Sequence, residues 1–268
     1  MPQSLLDDPQ AGQPTRPLRV LLTRPHDQSE ETAQWVRGRG GEPLVFPCLR
    51  VEAIDTPALR RAACQLASYD AVALTSAQAA RVLVPLVPSD TRWPLLCVIG
   101  RKTATELLHR GVRVDVVLDG DAATASALAA EIVRALGPST SSRRVLFPQA
   151  AEGRDELPHL LRDAGIVVER LAAYRTVAVP LAELQPAAAL LRAGQVDLVP
   201  LGSPRTAQVL LDAVGSDANQ VLGKTLVGAI GQTTRNALRD HNIRVDVIAE
   251  QPSFEDLIEK LAALRQRS

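Results

Sequence analysis

The sequence predicts an α/β protein with two flavodoxin-like or Rossmann-like lobes, each built on a parallel sheet, which arise from an internal duplication. Apolar strand-like segments alternate with amphipathic helical segments through short loops, a pattern typical of parallel sheets. The stretch VIGRKTATELLHRGVRVDVV at 98–117 recurs as AIGQTTRNALRDHNIRVDVI at 229–248, an offset of 131 residues. Residues 70–83 recur at 197–210, so order and spacing repeat together.

The first repeat opens with a strand at 19–22 and a helix that ends near residue 37. The next segments follow the same rules of periodicity and capping, with Thr56-Pro57 as a cap followed by proline and Gly111 as a helix stop. They are an extended segment at 44–51 that Pro47 interrupts, a helix from Thr56, a strand at 71–74, a helix capped by Ser76, strands at 95–99 and 114–118 around a helix, and a helix at 124–136.

The second repeat begins after a turn at 139–142 and has the same order of elements. A strand at 144–147 is similar to the strand at 19–22, and the apolar residues after Asp155 have helical spacing. The remaining predicted elements are an extended segment at 167–179, a strand after Asp197, a helix from Ser203-Pro204, the second copy of the longer stretch, and a helix capped by Ser253.

Composition narrows the class of protein. The chain has 268 residues with 30 basic and 30 acidic side chains, so no broad attraction to nucleic acid is expected. No apolar run is long enough for a membrane span, and residues 1–17 form a polar, flexible tail without the pattern of a signal peptide. The three cysteines are scattered without metal-ligand spacing, which predicts reduced thiols in a cytoplasmic protein and no metal site.

The candidate binding residues follow predicted strands, because ligands of parallel sheets bind beyond the carboxyl ends of the strands. They are hydroxyl residues, glycines and arginines, which suit anions together with free helix N–H groups. Any single Ser or Thr here is also explained as a helix cap, but the set predicts a site for a polyanion. The members are Thr23, Arg24, Ser76, Gly100, Arg101, Thr103, Ser203, Gly231, Thr233 and Thr234.

Other chemical signatures are missing from the sequence. It contains neither G-x-G-x-x-G after a strand nor G-x-x-x-x-G-K-[ST], so dinucleotide and P-loop binding lack support. It also lacks the G-x-S-x-G elbow of serine hydrolases, and its four histidines are dispersed.

Seven motifs in order resemble those of the uroporphyrinogen-III synthase family, from about Leu18 to Leu264. They read VLLTRP, DAVALTSAQA, VIGRKTA, AAYRT, DLVPLGSPRTA, AIGQTT and QPSFEDL. The resemblance implies a lyase of tetrapyrrole (haem and porphyrin) biosynthesis that converts linear hydroxymethylbilane, which carries eight carboxylates, into uroporphyrinogen III. The last pyrrole ring is inverted and water is lost. The implied enzyme is a cytoplasmic monomer that uses no cofactor and has no nucleic-acid or membrane partner.

The resemblance also implies a domain layout. After the tail at 1–17, residues 18–48 and 176–268 would form one discontinuous lobe, and residues 49–175 an inserted lobe. Residues 44–51 and 170–177 would be the two extended connectors, which join the lobes as a two-strand hinge.

Site residues carried over from the family match Thr103, Ser203, Thr233 and Thr234 by motif. Tyr174 matches the family tyrosine that faces the cleft, and we expect it to donate a hydrogen bond to the departing hydroxyl. The competing interpretation is a linker tyrosine that only packs against a lobe. The chain departs from the family pattern at Gln78, where Asn is usual, and at Gly202, where Thr or Ser is more common.

Two other classes of function remain open from the residues alone. One is a non-enzymatic, two-lobed, cytosolic module that binds small anions, which would share the polar strand ends but not the Tyr-Arg-Thr motif. The other is a sugar-phosphate or nucleotide enzyme with a doubly wound sheet, which the missing phosphate-loop fingerprint disfavours.

Overall fold

The computed structural model describes residues 16–138, 142–251 and 253–266, and their contacts divide the chain into two compact units. Unit 1 consists of the residues up to Arg50 and from Val177 onward, and unit 2 is Val51–Thr176. The chain therefore passes between the units twice, at 50/51 and at 176/177; the sequence prediction puts these crossings at 48/49 and 175/176. Of the predicted tail at 1–17, only Arg16 and Pro17 lie within the described residues, and most of the predicted turn at 139–142 lies outside them.

Strands and helices alternate along most of the chain. The strands are β1 (Arg19–Leu22), β2 (Glu42–Val45), β3 (Leu49–Ala53), β4 (Ala71–Leu74), β5 (Leu95–Ile99), β6 (Val116–Leu118), β7 (Arg144–Ala150), β8 (Val167–Ala178), β9 (Leu198–Leu201), β10 (Leu226–Ala229) and β11 (Val247–Ile248). The helices are α1 (His26–Gly38), α2 (Pro57–Cys64), α3 (Ala77–Leu83), α4 (Arg101–His109), α5 (Ala125–Leu136), α6 (Glu156–Asp163), α7 (Leu181–Arg192), α8 (Pro204–Val214), α9 (Ala218–Leu222), α10 (Gln232–Asp240) and α11 (Phe254–Arg265).

Unit 1 contains a five-stranded sheet in the order β11-β10-β9-β1-β2, and every registered pair in it is parallel. This is the flavodoxin-type order, in which the direction of winding reverses beside the first strand. Side chains alternate across β1: Leu21 packs into a core with α7, α8 and α10, whereas Val20 and Leu22 pack into a core with α1 and α11. Helices therefore cover both faces of the sheet.

Unit 2 contains a six-stranded sheet in the order β3-β8-β7-β4-β5-β6, in which β8, β7, β4, β5 and β6 pair in parallel. If β3 is left out, the strand order β8-β7-β4-β5-β6 corresponds to β2-β1-β9-β10-β11 of unit 1, with β7 in the place of β1. Val72 and Leu74 of β4 face a core with α2, α3 and α4, and Ala71 and Ala73 face a core with α5 and α6. The predicted α/β class, with two parallel-dominated sheets, is confirmed.

The outer strand β3 runs against β8 in the opposite direction. Ile54 N donates to Ala173 O at 2.8 Å in unit 2, and Val179 N donates to Cys48 O at 3.0 Å in unit 1. The two places where the chain crosses between units thus lie within two strands that are neighbours in one sheet.

The duplication is visible in the hydrogen bonds at the amino ends of the strands. Asp115 Oδ2 accepts from Leu96 N at 2.8 Å, and Asp246 Oδ2 accepts from Val227 N, also at 2.8 Å. Both members of the second pair lie 131 residues after those of the first, the offset of the repeated stretch. The repeated aspartate therefore holds the start of the neighbouring strand in each unit.

Three parts of the chain differ from the sequence prediction. The extended segment predicted at 44–51 is two strands, β2 and β3, separated around Pro47, and the helices α7 and α9 were not predicted. Among the described residues, no helix has the length and apolar character needed to cross a membrane.

Candidate functional site

The carboxyl ends of three neighbouring strands in unit 1 bring together predicted residues that are far apart in sequence. Thr23 and Arg24 follow β1, Ser203 follows β9, and the glycine turn at Gly231 follows β10. The reversal of winding lies between β1 and β9, and this is the place where ligands of doubly wound sheets bind. Unit 1 thus has its own polar edge at the position that the fold favours for a ligand.

The corresponding edge of unit 2 is formed by β4, β5, β7 and β8. Ser76 follows β4, and Gly100 follows β5 with Arg101 as the first residue of α4. Arg101 is strongly exposed and forms an ion pair with Asp119, which follows β6. The winding reverses between β7 and β4, so the residues after these two strands occupy the favoured ligand position of unit 2.

The helices at these edges begin in two different ways. The hydroxyl oxygens of Ser76 and Ser203 accept hydrogen bonds from Ala79 N at 3.2 Å and Thr206 N at 3.1 Å, so they cap α3 and α8. The helices α4 and α10 begin at glycines and have no side-chain cap. Since the first N–H groups of a helix lack partners within it, α4 and α10 keep donors that can meet an anion.

The two glycines at the starts of these helices differ in conformation. Gly100 has φ +86°, a left-handed conformation that residues with a side chain rarely adopt, whereas Gly231 has φ −169° and is extended. A Cβ built on either glycine would meet no atom within 4 Å. Glycine is therefore required by backbone conformation at Gly100 but by neither conformation nor packing at Gly231.

Three of the predicted threonines are buried. Thr23 is fully buried, and Thr103 and Thr234, at equivalent positions in the first turns of α4 and α10, are each 3% exposed. Thr23 Oγ1 has no hydrogen-bond partner among the described residues. Thr233, one position before Thr234, is exposed. The repeated threonine, Thr103 or Thr234, is thus packed beneath each helix start. In unit 1 the exposed hydroxyl is that of Thr233.

Arg24 is held against an aromatic ring that the sequence analysis did not select. Its guanidinium carbon lies 4.2 Å from the centre of the Phe254 ring, and its Nε donates to Gln28 Oε1 at 3.1 Å. Phe254 is 4% exposed and is the first residue of α11. The signal was present in the QPSFEDL motif, but only the fold puts α11 beside the end of β1.

A second cluster that was not selected lies after β7 in unit 2. The amide of Gln149 is oriented so that both its oxygen and its nitrogen have hydrogen-bond partners. The oxygen accepts from Arg170 Nη2 and the nitrogen donates to Arg154 O, both at 3.2 Å. Arg170 Nη2 also donates to Gly153 O at 3.1 Å. A Cβ on Gly153 would lie 2.3 Å from the end of the Gln149 amide and 2.9 Å from Ala150 O, so the loop can close over this amide only with glycine there.

Tyr174 lies on β8 beside the end of β7, where a register shift makes it the partner of Ala150. Its carbonyl oxygen accepts from Ala151 N at 2.7 Å, which fixes the loop after β7. The side chain is half-buried and packs against the core of unit 2. Tyr174 is therefore at the carboxyl edge of its own unit, with its ring anchored on the apolar core.

The two buried cysteines have unreactive thiols, and Cys48 lies beside the candidate edge of unit 1, where its N–H donates to Thr23 O at 2.9 Å. Burial raises the pKa of Cys48 and of Cys97 to about 12, which leaves both as protonated thiols. Within the described ranges, no group of three His, Cys, Asp or Glu residues could hold a metal ion. A cavity of about 500 Å³ in unit 2 is lined by Asp70, Trp93 and Asp115 and opens at the amino ends of β4 and β5, opposite the candidate edge.

Comparison with known proteins gives a consistent assignment. The family model for uroporphyrinogen-III synthase HemD matches residues 30–259. A protein of Methanothermobacter thermautotrophicus, whose name assigns it provisionally as a uroporphyrinogen-III synthase, is 31% identical over 256 residues, which are 91% of this chain and 97% of that protein. A uroporphyrinogen-III synthase of Chlorobaculum parvum is 25% identical over 252 residues, 89% of this chain and 97% of that one.

Solved structures agree in fold. A mutant uroporphyrinogen III synthase from the extremely thermophilic bacterium Thermus thermophilus superposes with a TM-score of 0.53 at 18% identity, over 94% of this chain and all of that one. The Helicobacter pylori enzyme superposes with a TM-score of 0.54 at 18% identity, over 92% and 99%. Because the family model covers most of the sequence and the relatives align along nearly their whole length, the chain belongs to the uroporphyrinogen-III synthase family.

Proposed function

We propose that this protein is a cyclising hydro-lyase that converts hydroxymethylbilane into uroporphyrinogen III, with loss of water and inversion of the last pyrrole ring through a spiro intermediate. Family membership supports the assignment to tetrapyrrole synthesis. The observation that carries the proposal is the repeated glycine turn: in each unit a helix, α4 or α10, begins at the carboxyl edge of the sheet without a side-chain cap. Two such helix starts suit a substrate with many carboxylates.

We propose that most substrate carboxylates are bound by backbone N–H groups and arginines. Ser76 and Ser203 already use their oxygens as helix caps, and Thr23, Thr103 and Thr234 are buried. Arg24 and Arg101 carry fixed positive charge at the two edges, and a guanidinium binds a carboxylate through paired, charge-assisted hydrogen bonds. Thr233 and the glycine turns at Gly100 and Gly231 complete the proposed binding set.

The chemistry asks for orientation more than for acid strength. The hydroxymethyl group leaves readily, and the difficult task is to fold the chain so that the substituted carbon of the last ring attacks. A fixed geometry removes the conformational freedom that this intramolecular attack would otherwise have to lose. We propose that Tyr174 donates a hydrogen bond from its phenol to the departing hydroxyl. Two observations support this role: Tyr174 lies at the carboxyl edge of unit 2, and its ring packs against the core of that unit.

We further propose a cytoplasmic monomer that needs no cofactor and acts on this small molecule alone, without a nucleic-acid or membrane partner. The balance of 30 basic and 30 acidic residues supports the absence of a nucleic-acid partner, because no excess of positive charge is available to contact phosphates.

Incubation with hydroxymethylbilane tests the proposal against a module that only binds anions. Spontaneous closure gives the type I isomer, whereas the proposed enzyme gives the type III isomer. After complete conversion, the products are oxidised to porphyrins and the isomers separated by chromatography, with heat-denatured protein as the control. We expect mainly type III product with native protein; product that is type I only, as in the control, would refute the proposal.

A further inference from the structure

Arg24 is the first charged residue after β1, at the position where the winding of the unit 1 sheet reverses. Its side chain is half-buried, and its neighbours restrict it from two sides. Nε donates to Gln28 Oε1 at 3.1 Å, and the guanidinium carbon lies over the Phe254 ring, 4.2 Å from its centre. A cation at this distance over an aromatic face is attracted by the ring, so the contact restricts the position of the guanidinium.

Gly202 makes this arrangement possible. A Cβ on Gly202 would lie 2.8 Å from Cζ and 2.9 Å from Cε2 of Phe254, closer than real Cβ atoms approach other atoms. The ring is 4% exposed and packed at the start of α11, so it has little freedom to withdraw. Any larger residue at Gly202 would therefore push the ring and displace the guanidinium that lies over it. This accounts for the glycine at a position where the family more commonly has Thr or Ser.

The charge of Arg24 is only partly compensated within unit 1. Burial lowers the pKa of Arg24, while the nearby carboxylates of Glu255 and Glu31 raise it, and the lowering prevails. Among the described side chains, the only hydrogen-bond acceptor for this guanidinium is the neutral amide of Gln28. Other arginines of the same unit, such as Arg19 and Arg37, pair directly with carboxylates. Arg24 is thus fixed in position with its terminal nitrogens not bonded to any described carboxylate.

We propose that Phe254 is a positioning residue for substrate recognition: it holds Arg24 so that the guanidinium binds one carboxylate of the polycarboxylate substrate, and Gly202 is glycine because the ring needs that space. The identity of the anion rests on the proposed function. Phe254 itself touches no reacting atom in this scheme. Its effect on the substrate passes through Arg24. The proposal can therefore be tested by comparing the double variant of Arg24 and Phe254 with the two single variants.

The test is a double-mutant cycle on Arg24→Lys and Phe254→Leu, read by binding and by turnover. Leucine keeps an apolar side chain but lacks the aromatic face and the atoms that approach Gly202. The binding probe is uroporphyrin III, the fluorescent, oxidised octacarboxylate related to the product, and the second readout is KM against kcat for hydroxymethylbilane. We expect each single change to raise Kd and KM about tenfold with kcat nearly unchanged, as for loss of one charge-assisted hydrogen-bonded contact.

The combined effect of the two substitutions on Kd and KM decides whether Phe254 acts through Arg24. If Phe254 acts through Arg24, the double variant is about as impaired as either single variant; effects that multiply to about a hundredfold would overturn the proposal. Arg37→Lys, on the same helix as Gln28 but in an exposed ion pair, is the matched control and should leave Kd unchanged. Melting curves confirm that each variant is folded.

Gly202→Ala supplies an independent arm. It should raise Kd for the probe when Phe254 is present, and change Kd by less than about twofold in the Phe254→Leu background, where the crowded ring atoms are gone. An equal effect in both backgrounds would overturn the role given to Gly202. Wild-type protein that makes only type I product would refute the proposed function and leave this inference to be judged by Kd for the probe, whereas type III product with KM unchanged in both single variants would overturn this inference alone.

Discussion

The carboxylate of Asp197 accepts hydrogen bonds from both terminal nitrogens of Arg16, at 2.8 and 2.7 Å. Asp197 is 4% exposed, and its Oδ2 also accepts from Arg19 N at 2.8 Å, so it fixes the start of β1 beside β9. Burial by itself would raise the pKa of Asp197, but the Arg16 guanidinium and the Arg19 N–H outweigh it, and the net pKa lies below the usual value. This contact therefore stabilises unit 1 while the carboxyl is ionised.

We expect Arg16→Gln to lower the free energy of unfolding at pH 7 by about 1–3 kcal/mol, the range for hydrogen bonds to a charged group. Because the folded pKa is depressed, the contribution is present above the unfolded carboxyl pKa of about 4 and is lost as pH falls through the folded value. Urea unfolding at pH 7 and below pH 4 measures this. A difference from wild type that does not shrink in acid would contradict it; Arg37→Gln, in an exposed pair, should change stability by less than about 1 kcal/mol.

The duplicated glycine turns form a matched pair for a second prediction. Gly100→Ala should cost about 1–2 kcal/mol, because alanine at φ +86° pays the left-handed penalty. Gly231→Ala should be neutral or slightly stabilising, since its extended backbone accepts a side chain and no atom lies within 4 Å of the added Cβ. Chemical denaturation of both variants compares them directly, and equal losses would show that conformation is not what separates the two turns.

Thr23 gives a third prediction, which tests its assignment as a binding residue. Its hydroxyl is buried without a described partner, so Thr23→Val should leave the free energy of unfolding unchanged or raise it by up to about 1–2 kcal/mol. KM for hydroxymethylbilane should stay within about twofold of wild type, which is well below the effect of one lost hydrogen bond. A tenfold rise in KM with an unchanged melting temperature would instead mean that the hydroxyl turns toward the substrate.

Tyr174→Phe should be the most damaging conservative change at the candidate edges. Loss of a group that hydrogen-bonds the leaving hydroxyl is expected to lower the rate of type III formation by about a hundredfold, with little change in melting temperature because the ring and its packing remain. The other tyrosine provides the control: Tyr69 OH donates to Glu169 Oε2 at 2.6 Å near the amino ends of the strands. Tyr69→Phe should lose stability and keep the rate. A Tyr174→Phe variant with more than half of the wild-type rate would reduce Tyr174 to a packing role.

Periodicity and repetition were sufficient to predict the parallel α/β architecture, because the spacing of apolar residues indicates which residues of each strand and helix are buried. The helix α7 was missed although Leu184, Ala187, Ala188 and Leu191 have clear helical spacing and are buried. Pro180 and Pro186 obscured it: the first precedes the helix and the second lies inside it. The sequence indicated an interruption of the extended segment at Pro47, but not that two separate strands, β2 and β3, lie on either side of it.

The candidate site was predictable only to the level of strand ends. Topology puts Thr23, Ser203 and Gly231 on neighbouring strands, as expected for parallel sheets. Burial separates the members in ways that residue type cannot, because Thr103 and Thr234 pack inward while Thr233 remains exposed. The contact between Arg24 and Phe254 joins residues 230 positions apart (254 − 24), and no local pattern encodes it.

Isomer-resolved initial rates test the central claim, that this chain directs hydroxymethylbilane to uroporphyrinogen III. At fixed substrate, formation of the type III and type I isomers is followed while the protein concentration is raised from zero. We predict that the type III rate rises in proportion to protein until type III is the dominant product, while the type I rate falls because the substrate is diverted. A type III rate that is independent of protein concentration, with the type I rate unchanged, would contradict the account.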